Sequence, residues 1–197
     1  MKPSGASPDQ LPIILFEDQQ AWADWLDLNH TTSSGLWLRI AKKVSGTASV
    51  SYAEALDVAL CYGWIDGQKY GYDEGSWLQK FTPRRPKSIW SKINREKALA
   101  LIESGRMQAA GLQEIERAKQ DGRWDAAYDS QRNAELPADF QAELNKHPEA
   151  SAFWATLNSR NRYPIVFRLQ TAKKPETRAK RIAEFIAMLE RHEKFYP

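Results

Sequence analysis

The side chains able to do chemistry in this 197-residue sequence are few and mostly solitary. Cysteine occurs once, at Cys61, and histidine three times, at His30, His147 and His192. A single thiol excludes an intramolecular disulfide framework and any multi-cysteine metal site. There is no His-x-x-x-His pair, no Gly-rich phosphate loop and no G-x-S-x-G, so neither a metal nor a cofactor is expected. Cys61 falls at the end of an apolar helix, where a lone Cys acts as a small hydrophobe. His30 falls at a helix end, where a protonated imidazole suits the dipole. Asp66 has the clearest acid–base potential, on an aromatic strand between Trp64 and Gln68. A carboxylate among aromatics can be pushed up in pKa and serve as general acid or base, with Gln68 and Asn94 completing a polar pocket. The alternative is an Asp66 that caps a turn or pairs with Arg84. Whether the chain is an enzyme stays open, with the balance toward none.

Anion chemistry is better represented. Lys80 to Lys97 holds seven Lys or Arg and one acid, whereas the first 79 residues carry a net charge of −5 and the whole chain +3. A second basic segment, Arg160 to Arg181, has eight bases against Glu176. Three readings compete. The bases form a solvated face with ion pairs to the acidic first part. Alternatively Arg84, Arg85 and Lys87 grip a small phosphate or carboxylate beside Ser88 and Trp90 at a helix start, where free amides favour negative charge. Arg178 or Arg181 would complete that cleft. In the third reading the bases neutralise nucleic-acid phosphates while aromatics stack on unpaired bases. The partners to expect are therefore a small anionic ligand or a nucleic acid.

These residues need a scaffold, and hydrophobic periodicity supplies its outline. Trp22, Trp25 and Leu26 mark a first helix over 18–28, and Leu36, Leu38 and Ile40 alternate as a strand. Ser51-Tyr-Ala-Glu54 is a capping box that starts the next helix. A hairpin follows, its arms 64–72 and 77–82 flanking Asp73-Glu74-Gly75-Ser76, with Trp64, Asp66, Gln68, Tyr70 and Tyr72 on one face. Gly67 and Gly71 inside a strand mark a bulge or a close approach. Helices are expected from Ser88 or Ser91 to Glu103, over 107–120, at Pro137 and Pro148, around Tyr163, Val166 and Leu169, and from Pro175 onward with Ile182, Phe185, Ile186 and Leu189 inward. The fold class is α+β, with about three antiparallel strands packed by helices and then an all-helical part. The expected divisions are a flexible start (1–15), an α+β domain (16–122), a linker or packed loop (123–136) and a helical domain (137–197). Eight Trp are a heavy load. Most read as core; Trp90, inside the basic run, reads as surface. No stretch approaches the length of a bilayer span or an export signal, so a cytoplasmic location is expected.

The strings GLWLRIAKK (35–43), SYAEALDVALCYGWIDG (51–67), FTPRRPKSIWSKIN (81–94), DGRWDAAY (121–128) and KKPETRAKRI (173–182) resemble the bacterial YdeI/OmpD-associated family, the last its helical bacteriocin-protection (OmdA) module. The resemblance implies a link to resistance against cationic antimicrobial peptides or bacteriocins. It implies no catalytic residue or cofactor. A captor of cationic peptides needs an acidic surface, whereas the concentrated charge here is basic. The function expected is thus a non-enzymatic binding or stress-resistance protein with a basic anion-binding cleft.

Overall fold

The computed structural model describes residues 11–130 and 134–197, so the first ten residues of the expected flexible start and part of the expected linker lie outside it. The chain divides into two compact units. The first comprises the described residues up to Ile89 together with Asn94–Asp125; the second is Trp90–Ile93 with Ala126–Pro197.

The first unit runs β1 (Ile13–Ile14), α1 (Gln19–Asn29), β2 (Leu36–Ala41), a 3-10 turn (Lys43–Ser45), α2 (Tyr52–Cys61), β3 (Trp64–Gly71) and β4 (Ser76–Pro83). Most of α3 (Lys92–Glu103) and all of α4 (Ala109–Gln120) follow. The sheet order is β1-β2-β4-β3, with β1 parallel to β2 and the other pairs antiparallel. Four strands replace the expected three or so. β1 pairs only two residues and follows Pro12, too short a signal for alternation to reveal.

Local chemistry sets the helix starts. The Asp18 carboxylate accepts the Ala21 amide at 2.9 Å and opens α1. Ser51 and Glu54 form the reciprocal capping box that opens α2. The aromatic core joins these elements: Trp22 lies 6.2 Å from Trp64 and 5.8 Å from Phe81, centroid to centroid. Both buried indoles are satisfied, Trp22 donating to the Ala55 carbonyl at 3.1 Å and Trp64 to that of His30 at 3.2 Å.

The hairpin carries the bulge that its glycines suggested. Register shifts between Asp66 and Lys69, so Gly67 and Gln68 together oppose Lys80. The buried Gln79 side chain donates to the Gly67 carbonyl at 2.9 Å and to that of Gln68 at 3.3 Å, which fixes the distortion. Beyond the bulge the side-chain alternation inverts. Trp64 and Asp66 stay on the helix-covered face, while Tyr70 moves to the opposite one, with its ring 5.2 Å from Trp37. The expected single face for Trp64 through Tyr72 is corrected accordingly. Two glycines, Gly63 and Gly111, allow α4 to meet the end of α2. Gly63 holds φ of 72°, and a Cβ there would stand 2.9 Å from the Ala110 carbonyl oxygen.

The second unit holds α5 (Ala138–Leu144), α6 (Pro148–Thr156), α7 (Ser159–Gln170) and α8 (Pro175–Glu190). Phe140, Leu144, Trp154, Ile165, Leu169, Phe185, Ile186 and Leu189 form its core. Pro148 and Pro175 stand in first helical turns, where a missing N–H costs nothing. Ser91 bridges to Tyr128, and Lys92 pairs with Asp129 at 2.8 Å, which ties the short segment to this unit.

Candidate functional site

The basic run leaves β4 at Pro83 and turns before α3. The turn is pinned at several points. The Arg84 amide donates to the Gly63 carbonyl at 3.0 Å, and its guanidinium to that of Ile89 at 3.4 Å. Ser88 caps the turn by accepting the Arg85 amide at 2.9 Å. Arg123, buried and doubly bonded to Asp121 at 2.8 and 2.7 Å, donates to the Ser88 carbonyl at 2.6 Å. Arg84 is 5% exposed, a structural cation under the turn. Arg85 and Lys87 project from it, exposed, and neither side chain enters an ion pair or hydrogen bond among the described residues.

Two expectations are corrected. α3 begins at Lys92, which bears out the Ser91 start and not the Ser88 one, so Ser88 caps a turn and does not sit at a helix N-terminus. Trp90 is 2% exposed and belongs to the second unit, so it offers no stacking surface. Its place inside the basic run made it read as surface, but burial is decided by what packs from distant sequence.

Arg178 and Arg181 also lie in the second unit, where both have local work. Arg178 donates to the Asp139 carboxylate at 2.5 and 2.8 Å and to the Leu169 carbonyl at 2.5 Å. Arg181 donates to the Arg168 carbonyl. The two cap the end of α7, whose last carbonyls have no helical partner. The Arg178 partnership holds the Asp139 carboxyl below the usual range.

Asp66 is half-buried and accepts the Tyr52 hydroxyl at 2.8 Å. Gln68 is exposed at the bulge, and Asn94 is buried on α3. These three residues line neither of two open hollows of the first unit. One, of about 720 Å³, is bordered by Glu54, Cys61, Arg106 and Gln108. Burial pushes the Cys61 thiol up to about 11, so the protonated form is favoured at neutral pH. The other hollow, of about 460 Å³, is lined by His30, Tyr62, Trp64, Arg84, Gln113 and Glu114.

Glu114 is the acidic group that sequence reasoning missed. It pairs with Arg117, and loss of water pushes its carboxyl above the usual range despite Arg117, Arg84 and Arg123. Its i,i+3 spacing to Arg117 on α4 is that of an ordinary surface pair, so no local signal marks it. Among the described residues, no group of three or more His, Cys, Asp or Glu could hold a metal ion. No described helix is long and apolar enough to cross a membrane.

The outer sheet face was also missed. Tyr70 and Tyr72 are 43% and 42% exposed. The Arg39 guanidinium stands 5.1 Å from the Tyr72 centroid, and Lys80 Nζ 5.6 Å from that of Trp37. Only the bulge brings these groups to one side, so simple alternation along β3 could not find them.

The chain is thus an α+β unit followed by a helical one, with a basic turn and an aromatic sheet face in the first. A family model described as a domain of unknown function (DUF8412) matches residues 14–114, just over half the chain, and the chain belongs to that family. Residues 133–192 match the OmdA domain, described as Bacteriocin-protection, YdeI or OmpD-Associated. No curated protein and no solved structure matches the chain.

Proposed function

We propose that the chain is a non-enzymatic binding protein of the YdeI/OmpD-associated group that holds an anionic ligand at the Arg84–Ile89 turn. The observation that carries this is the turn itself. Among the described residues Arg85 and Lys87 are exposed and have no partner side chain, while Arg84, Ser88 and Arg123 hold the backbone beneath them. A pinned loop loses little conformational entropy on binding, which favours capture of a charged ligand by only two side chains. The Asp66 carboxylate is engaged by the Tyr52 hydroxyl, a structural partnership across α2 and β3. Cationic peptides would be repelled by this turn, so an effect on bacteriocin resistance would be indirect.

Inorganic polyphosphate titrated at low salt tests the reading. The wild type binds, and the Arg85→Glu/Lys87→Glu double variant loses at least tenfold in affinity with an unchanged Tm. Equal affinity for both proteins would remove the turn as the site.

A further inference from the structure

The outer face of the sheet carries aromatic and cationic side chains along β4, the strand that leads into the basic turn. At one end Arg39 and Tyr72 stand together, with Arg39 also donating to Ser76 at 2.9 Å and Asp73 at 2.8 Å. In the middle Tyr70 and Lys80 stand against Trp37, which is itself fully buried. Past Pro83 come Arg85 and Lys87. Eight strand residues span about 27 Å. Two exposed phenol rings therefore share a face with cations, and β4 runs on past Pro83 to two exposed bases that enter no ion pair or hydrogen bond among the described residues.

We infer that this strip binds single-stranded nucleic acid, with unpaired bases stacking on Tyr70 and Tyr72 and the phosphate backbone leading to Arg85 and Lys87. The inference rests on the anion-binding reading of the turn and names its ligand class. The physical match is specific. Aromatic faces accept any base, cations interleaved with them neutralise phosphates, and a strand-length track suits about four nucleotides, the lower end of known single-strand sites. A duplex hides its base faces and leaves the tyrosines without a partner. The bulge is what makes the arrangement possible, since Gly67 and Gln68 invert β3 and carry Tyr70 onto the face of Arg39. The acids at the hairpin end, Asp73 and Glu74, direct the charged backbone away from there and toward the turn. Asp66 lies on the covered face.

Fluorescence anisotropy of the full chain at low salt, with labelled twelve-nucleotide oligouridine, oligothymidine and a duplex of equal length, tests this. The single strands should bind more tightly than the duplex. Tyr70→Ala/Tyr72→Ala should weaken them roughly tenfold or more while leaving inorganic polyphosphate binding intact. Tyr70→Phe/Tyr72→Phe, which keeps the rings, should bind like the wild type and guards against a folding defect. Arg85→Glu/Lys87→Glu should weaken oligonucleotide and polyphosphate alike. Unchanged oligonucleotide affinity in the Ala variant, or equal affinity for the duplex, overturns the inference. Polyphosphate binding that depends on Arg85 and Lys87, without any oligonucleotide binding, overturns it and leaves the anion reading standing. Absence of both kinds of binding removes both.

Discussion

Gly111 lies inside α4, where alanine would be the better helix former by about 1 kcal/mol. A Cβ there would press into the Cys61 carbonyl oxygen and Met107 Sδ and stand 2.7 Å from the Leu60 carbonyl oxygen. Two of these neighbours are backbone, which cannot rotate away. Steric crowding therefore outweighs propensity, and Gly111→Ala should destabilise the chain by about 2 kcal/mol. Urea unfolding midpoints measure this, with Gly71→Ala as the control. Nothing lies within 4 Å of a Cβ at Gly71, so that change should stay within about 0.5 kcal/mol. A stabilised Gly111→Ala variant would show that α2 and α4 do not approach as described.

The helices of the second unit are joined by charge at their ends. His147, the N-cap of α6, bonds to Glu190 of α8 at 2.7 Å and lies 3.4 Å from Glu143 of α5. Lys146 shares Glu143 at 2.8 Å. The hydrogen bond to Glu190, then that to Glu143, raises the imidazole above its ordinary 6.5. The folded state thus binds the proton more tightly than the unfolded one. The resulting stabilisation is complete below about 6.5 and is lost as pH rises through the raised folded value. Relative to His147→Gln, the Tm of the helical far-UV signal should fall between pH 6 and pH 8. Parallel curves for the two proteins would show that the histidine is uncoupled from the fold. Arg178 and Arg181 act at the same scale. What looked in sequence like half of a ligand cleft serves as a helix terminus, because α7 ends in carbonyls that need donors.

Over the whole molecule the formal charge is only +3, so long-range attraction is weak and any anion binding must be local. Few counterions should then be released. Between 50 and 200 mM salt, the logarithm of oligonucleotide affinity against that of salt concentration should have a slope of roughly −2 to −4. A much steeper slope would mean that the Arg160 to Arg181 segment also takes part. Much of the architecture was legible because its signals are local. The Ser51–Glu54 box, the alternating Leu36, Leu38 and Ile40, the hairpin turn and the Pro175 helix start each need only neighbours in sequence. Arg85 and Lys87 were legible as a basic run for the same reason. Trp90, Glu114 and the tyrosine face were not. Burial of Trp90 and desolvation of Glu114 depend on groups far along the chain. One bulge, held by a buried glutamine on the neighbouring strand, decides which way Tyr70 points. The sequence alone thus determined the α+β order, the helix ends and the presence of a concentrated basic segment. Only the tertiary structure decided which of those bases hold the fold and which meet solvent, because a guanidinium is equally basic in either place and only its surroundings assign its role.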